Sequence, residues 1–259
     1  MKKTLPVSVV IISKNEENNI KRCLESVKWA DEIVILDTGS IDNTLSICKE
    51  YGCSVYKLDR WEGFGKAKHQ AVNNAKYDWI FSIDCDEEVS EELKQKIFSI
   101  LDTHQLEKEE KIKAYRIKRE SYYMGKLVRF SGWQRDFPLR LFNKRYGNFN
   151  HKIVHEHVET SSEIEFIYEK LYHYTYPMIK THISKTVYYS ELAALQAFNK
   201  KKKSGITKAI LRGLVTFIKM YIINFGFLDG KVGLILAINS AFGTYLRYLY
   251  LWELYYSSY

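Results

Sequence analysis

Four short apolar runs divide the first ninety residues, with a helical pattern between each run and the next. The runs are Val7 to Ser13, Glu32 to Asp37, Ser54 to Asp59 and Tyr77 to Asp84, dominated by Val, Ile, Leu and aromatic residues. Between them, Ile20, Cys23, Leu24 and Val27 share one helical face, Asp42 to Tyr51 closes on Gly52, and Ala67, Ala71, Val72 and Ala75 recur at helical spacing. Near-continuous apolar runs read as strands buried on both faces, and strands alternating with helices imply a parallel, right-handed, doubly wound sheet. The expected fold class is α/β, with ligands bound outside the carboxyl ends of the strands. Asn15 (read as the cap of the first helix), Glu16, Asp37, Asp59, Asp84 and Asp86 should converge on that edge, and Gly39 supplies the tight turn after Asp37.

The fourth run delivers Asp84, Asp86, Glu87 and Glu88 within five residues. Like charges so close repel unless a cation neutralises them. Asp-x-Asp at a strand end offers two hard oxygen ligands, which suits Mg²⁺ or Mn²⁺, so Asp84 and Asp86 are the candidate metal ligands. The same acids also read as the acidic start of a helix from Ser90 to Leu101, with Ser90 as cap. Neither G-x-G-x-x-G nor G-x-x-x-x-G-K-[ST] is present, which argues against a dinucleotide dehydrogenase and a P-loop enzyme. A nucleotide gripped by acids and a metal fits better, with Lys66 and Lys68 available to its phosphates.

Four motifs in order, Ser8 to Ile12 with Asn15-Glu16-Glu17, Asp37 to Thr44, Gly65-Lys66-Ala67 and Asp84-Cys85-Asp86-Glu87, resemble those of family 2 inverting glycosyltransferases. The resemblance implies a GT-A fold with a mostly parallel sheet, a nucleotide-sugar donor and a divalent metal. It places Asp37 at the uracil, Asp84 near the ribose and diphosphate, and Asp86 on the metal; Thr38 stands where many members carry a second aspartate. Inverting transfer needs a base for the acceptor hydroxyl. Glu156, in Val154-His155-Glu156-His157-Val158, is the candidate, because His155-Glu156 resembles the base motif of the lipopolysaccharide-core subgroup; the stretch also reads as an ordinary alternating strand. Asp136 is the second choice. Ala114 to Ser121 and Leu127 to Ser131 read as added strands near the acceptor site, where Trp133 is counted among the substrate-binding residues. His173 is either a metal or diphosphate contact or a packed histidine.

At 259 residues and 46% apolar composition, the chain accommodates a catalytic domain over 1–175 and a helical region over 176–259. Of the net charge of +8, residues 200–259 contribute +7. Lys200 to Lys203 precede a helix on which Lys208, Arg212 and Lys219 lie within roughly 40° of one another. A basic stripe on an apolar helix suits an anionic membrane surface, and Val232 to Leu246 is short for a span. The alternative is a helical hairpin capping the domain at a homodimer contact. No stacking platform or recognition helix accompanies the lysines, so nucleic acid is not expected. Phe227-Leu228-Asp229-Gly230 resembles the tail of the same subgroup. The four cysteines lack C-x-x-C spacing and the N-terminal apolar run is too short for a signal peptide, which reads as a reduced, cytoplasmic protein.

The combined expectation is transfer of a hexose, glucose from UDP-glucose, to a lipid-linked acceptor such as the inner-core heptose of lipopolysaccharide, on the inner face of the cytoplasmic membrane. The alternatives are a glycosyltransferase-like scaffold without activity and a haloacid-dehalogenase-like phosphotransferase. In the latter, Asp-x-Asp normally ends the first strand rather than the fourth.

Overall fold

A computed structural model of the chain describes residues 6–106, 113–153 and 156–256. The expected βα alternation is present: β1 (Val7–Ser13), α1 (Ile20–Val27), β2 (Glu32–Asp37), α2 (Thr44–Glu50), β3 (Ser54–Lys57), α3 (Phe64–Asn73) and β4 (Trp79–Ser82). β1 lies between β2 and β4, parallel to both, and β3 runs parallel beside β2. There follow β5 (Glu87–Val89), α4 (Glu91–Leu106), β6 (Lys113–Tyr123), β7 (Lys126–Leu127), β8 (Leu139–Asn143), β9 (Gly147–Phe149), β10 (Val158–Thr160) and β11 (Glu163–Tyr176). The sheet order is β3-β2-β1-β4-β8-β6-β11-β5, with β7 on β6, while β9 and β10 form a separate antiparallel pair. β8 joins β4 antiparallel, β6 joins β8, and β11 joins β5, so the parallel half carries a mixed extension. The chain closes with α5 (Ile179–Asn199), α6 (Ile206–Ile218) and α7 (Gly230–Tyr256).

Several boundaries differ from the sequence reading. Asn15 does not cap α1, which starts at Ile20; it sits at φ 55° in the preceding loop. The strand expected over Leu127 to Ser131 stops at Leu127 because the backbone N–H groups of Arg129 and Phe130 are taken by the Asp229 carboxylate, each at 3.0 Å. Val154 and His155 lie outside the described residues; Glu156 and His157 precede β10 rather than forming a strand.

The chain divides into two compact units, Met1–Arg119 with Phe137–His173, and Glu120–Asp136 with Tyr174–Tyr259. The second therefore includes 120–136, a segment that a division at residue 175 leaves with the first. In the first unit, Val9, Ile11, Phe81 and Ile83 meet Leu24, Val27, Leu93 and Ile97 on one sheet face, while Val10, Val34, Leu36 and Ile80 meet Ala67, Ala71 and Val72 on the other. This two-faced burial explains the continuous apolar runs.

In the second unit α7 packs against both α5 and α6. Ser190 Oγ of α5 donates to Gly243 O of α7 at 2.9 Å, and Thr216 of α6 meets Thr244 of α7 at 3.1 Å. Tyr123, Val128, Val232 and Leu236 form a small core. Beside it lies a buried polar group in which Tyr123 Oη and Asn239 Nδ2 lie 2.9 and 3.1 Å from His182 Nδ1, making that nitrogen the acceptor. Tyr176 stacks on the ring at 4.2 Å. Burial pushes the imidazole pKa down to about 4. The folded protein thus favours neutral His182, whereas the unfolded chain binds a proton below about 6.5. Stability should fall as pH drops from about 6.5 toward 4, and His182→Gln should flatten that part of the profile, as read by melting temperature against pH.

Candidate active site

The carboxyl ends of β1 and β2 carry two loops that are cross-linked by hydrogen bonds. Asn15 N–H donates to Ser40 Oγ (3.0 Å) and Asn15 Oδ1 accepts Ile41 N–H (2.8 Å). Glu16 N–H reaches Thr44 Oγ1 at 2.8 Å, and the Glu17 carboxylate accepts from the Asn43 N–H at 3.0 Å. Buried Asp37 turns its carboxylate onto the N–H groups of Gly39 (3.0 Å) and Ser40 (3.1 Å), and Gly39 sits at φ 104°, where L side chains are strained. Asn15, Glu16, Asp37 and Gly39 therefore form one platform, as expected of the strand ends. Asp59, two residues beyond β3, is exposed.

Next to it, β4 ends in a turn built on buried charge. Glu87, with no solvent exposure, accepts the Asp84 N–H at 2.9 Å and fixes the Asp84-Cys85-Asp86 turn. Arg140 from β8 bridges Asp84 Oδ2 and Glu87 Oε1, each at 2.5 Å, and Arg119 from β6 adds a second cation to Glu87 at 2.9 Å. Lys68 from α3 sits 2.9 Å from Asp84 Oδ1 and 2.9 Å from Glu156 Oε1. Burial opposes the charge on Asp84, yet Arg140 and Lys68 hold its carboxyl well below the usual carboxylate range. Burial likewise works against charge on Lys68, but Asp84 and Glu156 lift its pKa above the ordinary lysine value.

Lys68 reaches this position because the chain from Asn150 to Ile153 crosses closely over the start of α3. Gly65 N–H donates to Lys152 O at 3.0 Å, and a Cβ on Gly65 would strike the Asn150 and Lys152 carbonyls. The glycines at 63 and 65 thus serve a close backbone approach, which also carries Glu156 to the buried lysine. Lys66, by contrast, pairs with Glu62 at the exposed surface.

Asp86 lies on the far side of the turn, 3.5 Å from His173 Nε2, and both side chains are mostly covered. The β11–β5 register sets this, since His173 stands opposite Glu87. A carboxylate and an imidazole at this spacing fit an ion that completes its shell with water and phosphate oxygens. No group of three or more His, Cys, Asp or Glu side chains with such geometry exists among the described residues. Asp84, expected to share the ion, instead has both oxygens on cations, because β8 and α3 bring Arg140 and Lys68 to it. Trp133 and Asp136 belong to the second unit, where Trp133 opens a single 3₁₀ turn and packs beside Tyr123 and Val128. Arg140, Arg119 and Glu87 escaped the sequence reading as site residues; the available signal was a basic residue inside an apolar strand, Leu139-Arg140-Leu141-Phe142.

Residues 8–155 match the family described as Glycosyl transferase family 2. The chain is 31% identical over 258 residues to an uncharacterized glycosyltransferase of Rickettsia typhi, covering 96% of this chain and 87% of the relative. It is 26% identical to the lipopolysaccharide core biosynthesis glycosyltransferase LpsC of Rhizobium meliloti, covering 94% and 93%. Among solved structures, Staphylococcus aureus TarS 1–349 in complex with UDP aligns over 98% of this chain and 92% of that one, at 15% identity and a TM-score of 0.46.

The buried charge cluster gives a stability prediction. Arg140→Met removes the cation shared by Asp84 and Glu87 and should cost about 3–5 kcal/mol in urea unfolding, the range for breaking a buried ion pair on one side. A loss under about 1 kcal/mol would show that the cluster is not what holds the turn.

Proposed function

The chain belongs to glycosyl transferase family 2 and has the GT-A fold, and from that premise we propose that it transfers glucose from UDP-glucose, with inversion, to a lipid-linked saccharide such as the inner-core heptose of lipopolysaccharide. The reaction takes place at the inner face of the cytoplasmic membrane. The family membership removes the phosphotransferase alternative. The observation that carries the reading is Lys68, whose ammonium joins Asp84 of the metal-motif turn to Glu156, the candidate base.

In this mechanism the Asp37 turn receives the uracil, and Asp84, held by Arg140 and Lys68, faces the ribose and diphosphate. Asp86 and His173 would hold Mn²⁺ or Mg²⁺, which would supply positive charge to the leaving diphosphate. Glu156 takes the proton from the acceptor hydroxyl as its oxygen bonds to the anomeric carbon and the bond from that carbon to the diphosphate breaks. UDP leaves with the electron pair of the broken bond. Lys68 keeps the base in place by its contact with Oε1. Glu156 is preferred to Asp136 as the base because Lys68 ties it to the Asp84 turn. Support for the lipopolysaccharide acceptor comes from the similarity to LpsC over nearly the whole of both chains.

UDP-glucose with Mn²⁺ should raise the melting temperature, since a ligand that binds only the folded state stabilises it. Glu156→Gln should lower kcat by about 10²–10⁴-fold, the usual contribution of a positioned base, while leaving that shift intact. Asp86→Ala should abolish the metal dependence of the shift. No shift with any nucleotide sugar would favour the inactive scaffold.

A further inference from the structure

Helix α6 turns its small residues inward and its large apolar ones outward. Ala209 and Gly213 are its buried positions. A Cβ on Gly213 would come within 3.2 Å of Ala241 O and 3.3 Å of Tyr245 Cβ, so this seam sits tightly on α7. Leu211, Leu214 and Val215 are each 55% exposed, with Ile218 at 41% and, in the π-turn that continues the helix, Ile222 at 52%. At about 100° per residue these five side chains centre opposite the Ala209–Gly213 seam. Single exposed hydrophobic residues are ordinary, but a contiguous apolar face marks an interaction site.

The charges around the face identify its partner. Lys208, Arg212 and Lys219 are exposed along one flank, and Lys200 to Lys203 are exposed just before the helix. Between Glu191 and Asp229 there is no acidic residue, against seven Lys and Arg. An apolar row edged by cations and free of acids complements a surface with anionic headgroups over an acyl layer. A partner of apolar protein surface gives no use to seven cations with no acid among them in that stretch.

α7 is long and apolar enough to cross a membrane by length and composition. On one side of it Gly243 and Thr244 bond to α5 and α6 and Asn239 joins the buried His182–Tyr123 group, while Leu234, Ile238 and Phe242 are 37%, 50% and 41% exposed. Between Lys231 and Arg247 α7 has no charged residue, so the apolar face edged by cations is that of α6.

We propose that the outer face of α6 is an in-plane docking surface for an anionic bilayer, with Leu211, Leu214, Val215, Ile218 and Ile222 at the acyl boundary and Lys200–Lys203, Lys208, Arg212 and Lys219 on the lipid phosphates. This deepens the membrane-bound transferase reading and rests on it.

The test is flotation of the full-length protein with vesicles of phosphatidylglycerol and phosphatidylethanolamine, or of phosphatidylcholine alone, with the UDP-glucose thermal shift measured on the same samples. The wild type should float with the anionic vesicles and about tenfold less with phosphatidylcholine. Leu211→Glu with Ile218→Glu should reduce the bound fraction about tenfold while melting temperature and donor shift stay unchanged, since both side chains already face solvent. Replacing Lys200 to Lys203 by Gln should weaken binding and its salt dependence. A wild type that stays unbound while its donor shift is intact overturns the docking surface and leaves the transferase reading standing. Equal flotation of the double variant overturns it too, as does a dimer, found by sedimentation, that the double variant splits. A missing donor shift with normal flotation counts instead against the transferase reading and leaves the surface in place.

Discussion

Two carboxylates, Asp84 and Glu87, are held in the protein at the end of β4, and buried charge persists only where cations and hydrogen bonds match it. The three cations come from three elements distant in sequence: Lys68 from α3, Arg140 from β8 and Arg119 from β6. Their meeting depends on the sheet order, in which β8 and β6 follow β4 antiparallel to their neighbours. The mixed extension therefore does more than widen the sheet. It neutralises the acids of the turn, and without it the repulsion inside Asp84-Cys85-Asp86-Glu87 would open that turn.

The same network prepares the site for chemistry. Glu87 accepts the Asp84 N–H, Lys68 and Arg140 fix the Asp84 carboxylate, and Asp86 lies beside His173. A buried ion network gives little net stability compared with a packed apolar core, since desolvation offsets much of the Coulomb gain. What it supplies is charge already oriented before any ligand arrives, the condition under which electrostatic stabilisation needs least reorganisation.

The βα order, the parallel strands and the gathering of Asn15, Glu16, Asp37 and Asp84 at one edge were legible because each rests on local periodicity and on the rule for parallel sheets. The partners of Asp84 were not. Arg140 and Lys68 lie 56 and 16 residues from it, and nothing in the spacing says that a strand arginine turns to a strand-end acid rather than to solvent. For the same reason the two acids of Asp84-Cys85-Asp86 look alike in sequence, and the ion pairs of Asp84 with Arg140 and Lys68 appear only in the fold. Likewise, apolar Val128 reads as strand until Asp229, a hundred residues on, takes the next two backbone donors.

The C-terminal helices show a different limit. Periodicity located the basic stripe of α6, but an apolar helix with one charged flank leaves open which of its other sides faces the protein. Steric fit decides it. Ala209 and Gly213 allow the close approach to Ala241 and Tyr245, a distance at which Leu or Ile would clash. Once the small residues are committed to the seam, geometry at 3.6 residues per turn directs Leu211, Val215 and Ile218 outward. A helix packed this way carries an apolar row on its outer side, and its cations lie along the flank of that row with no acid between Glu191 and Asp229.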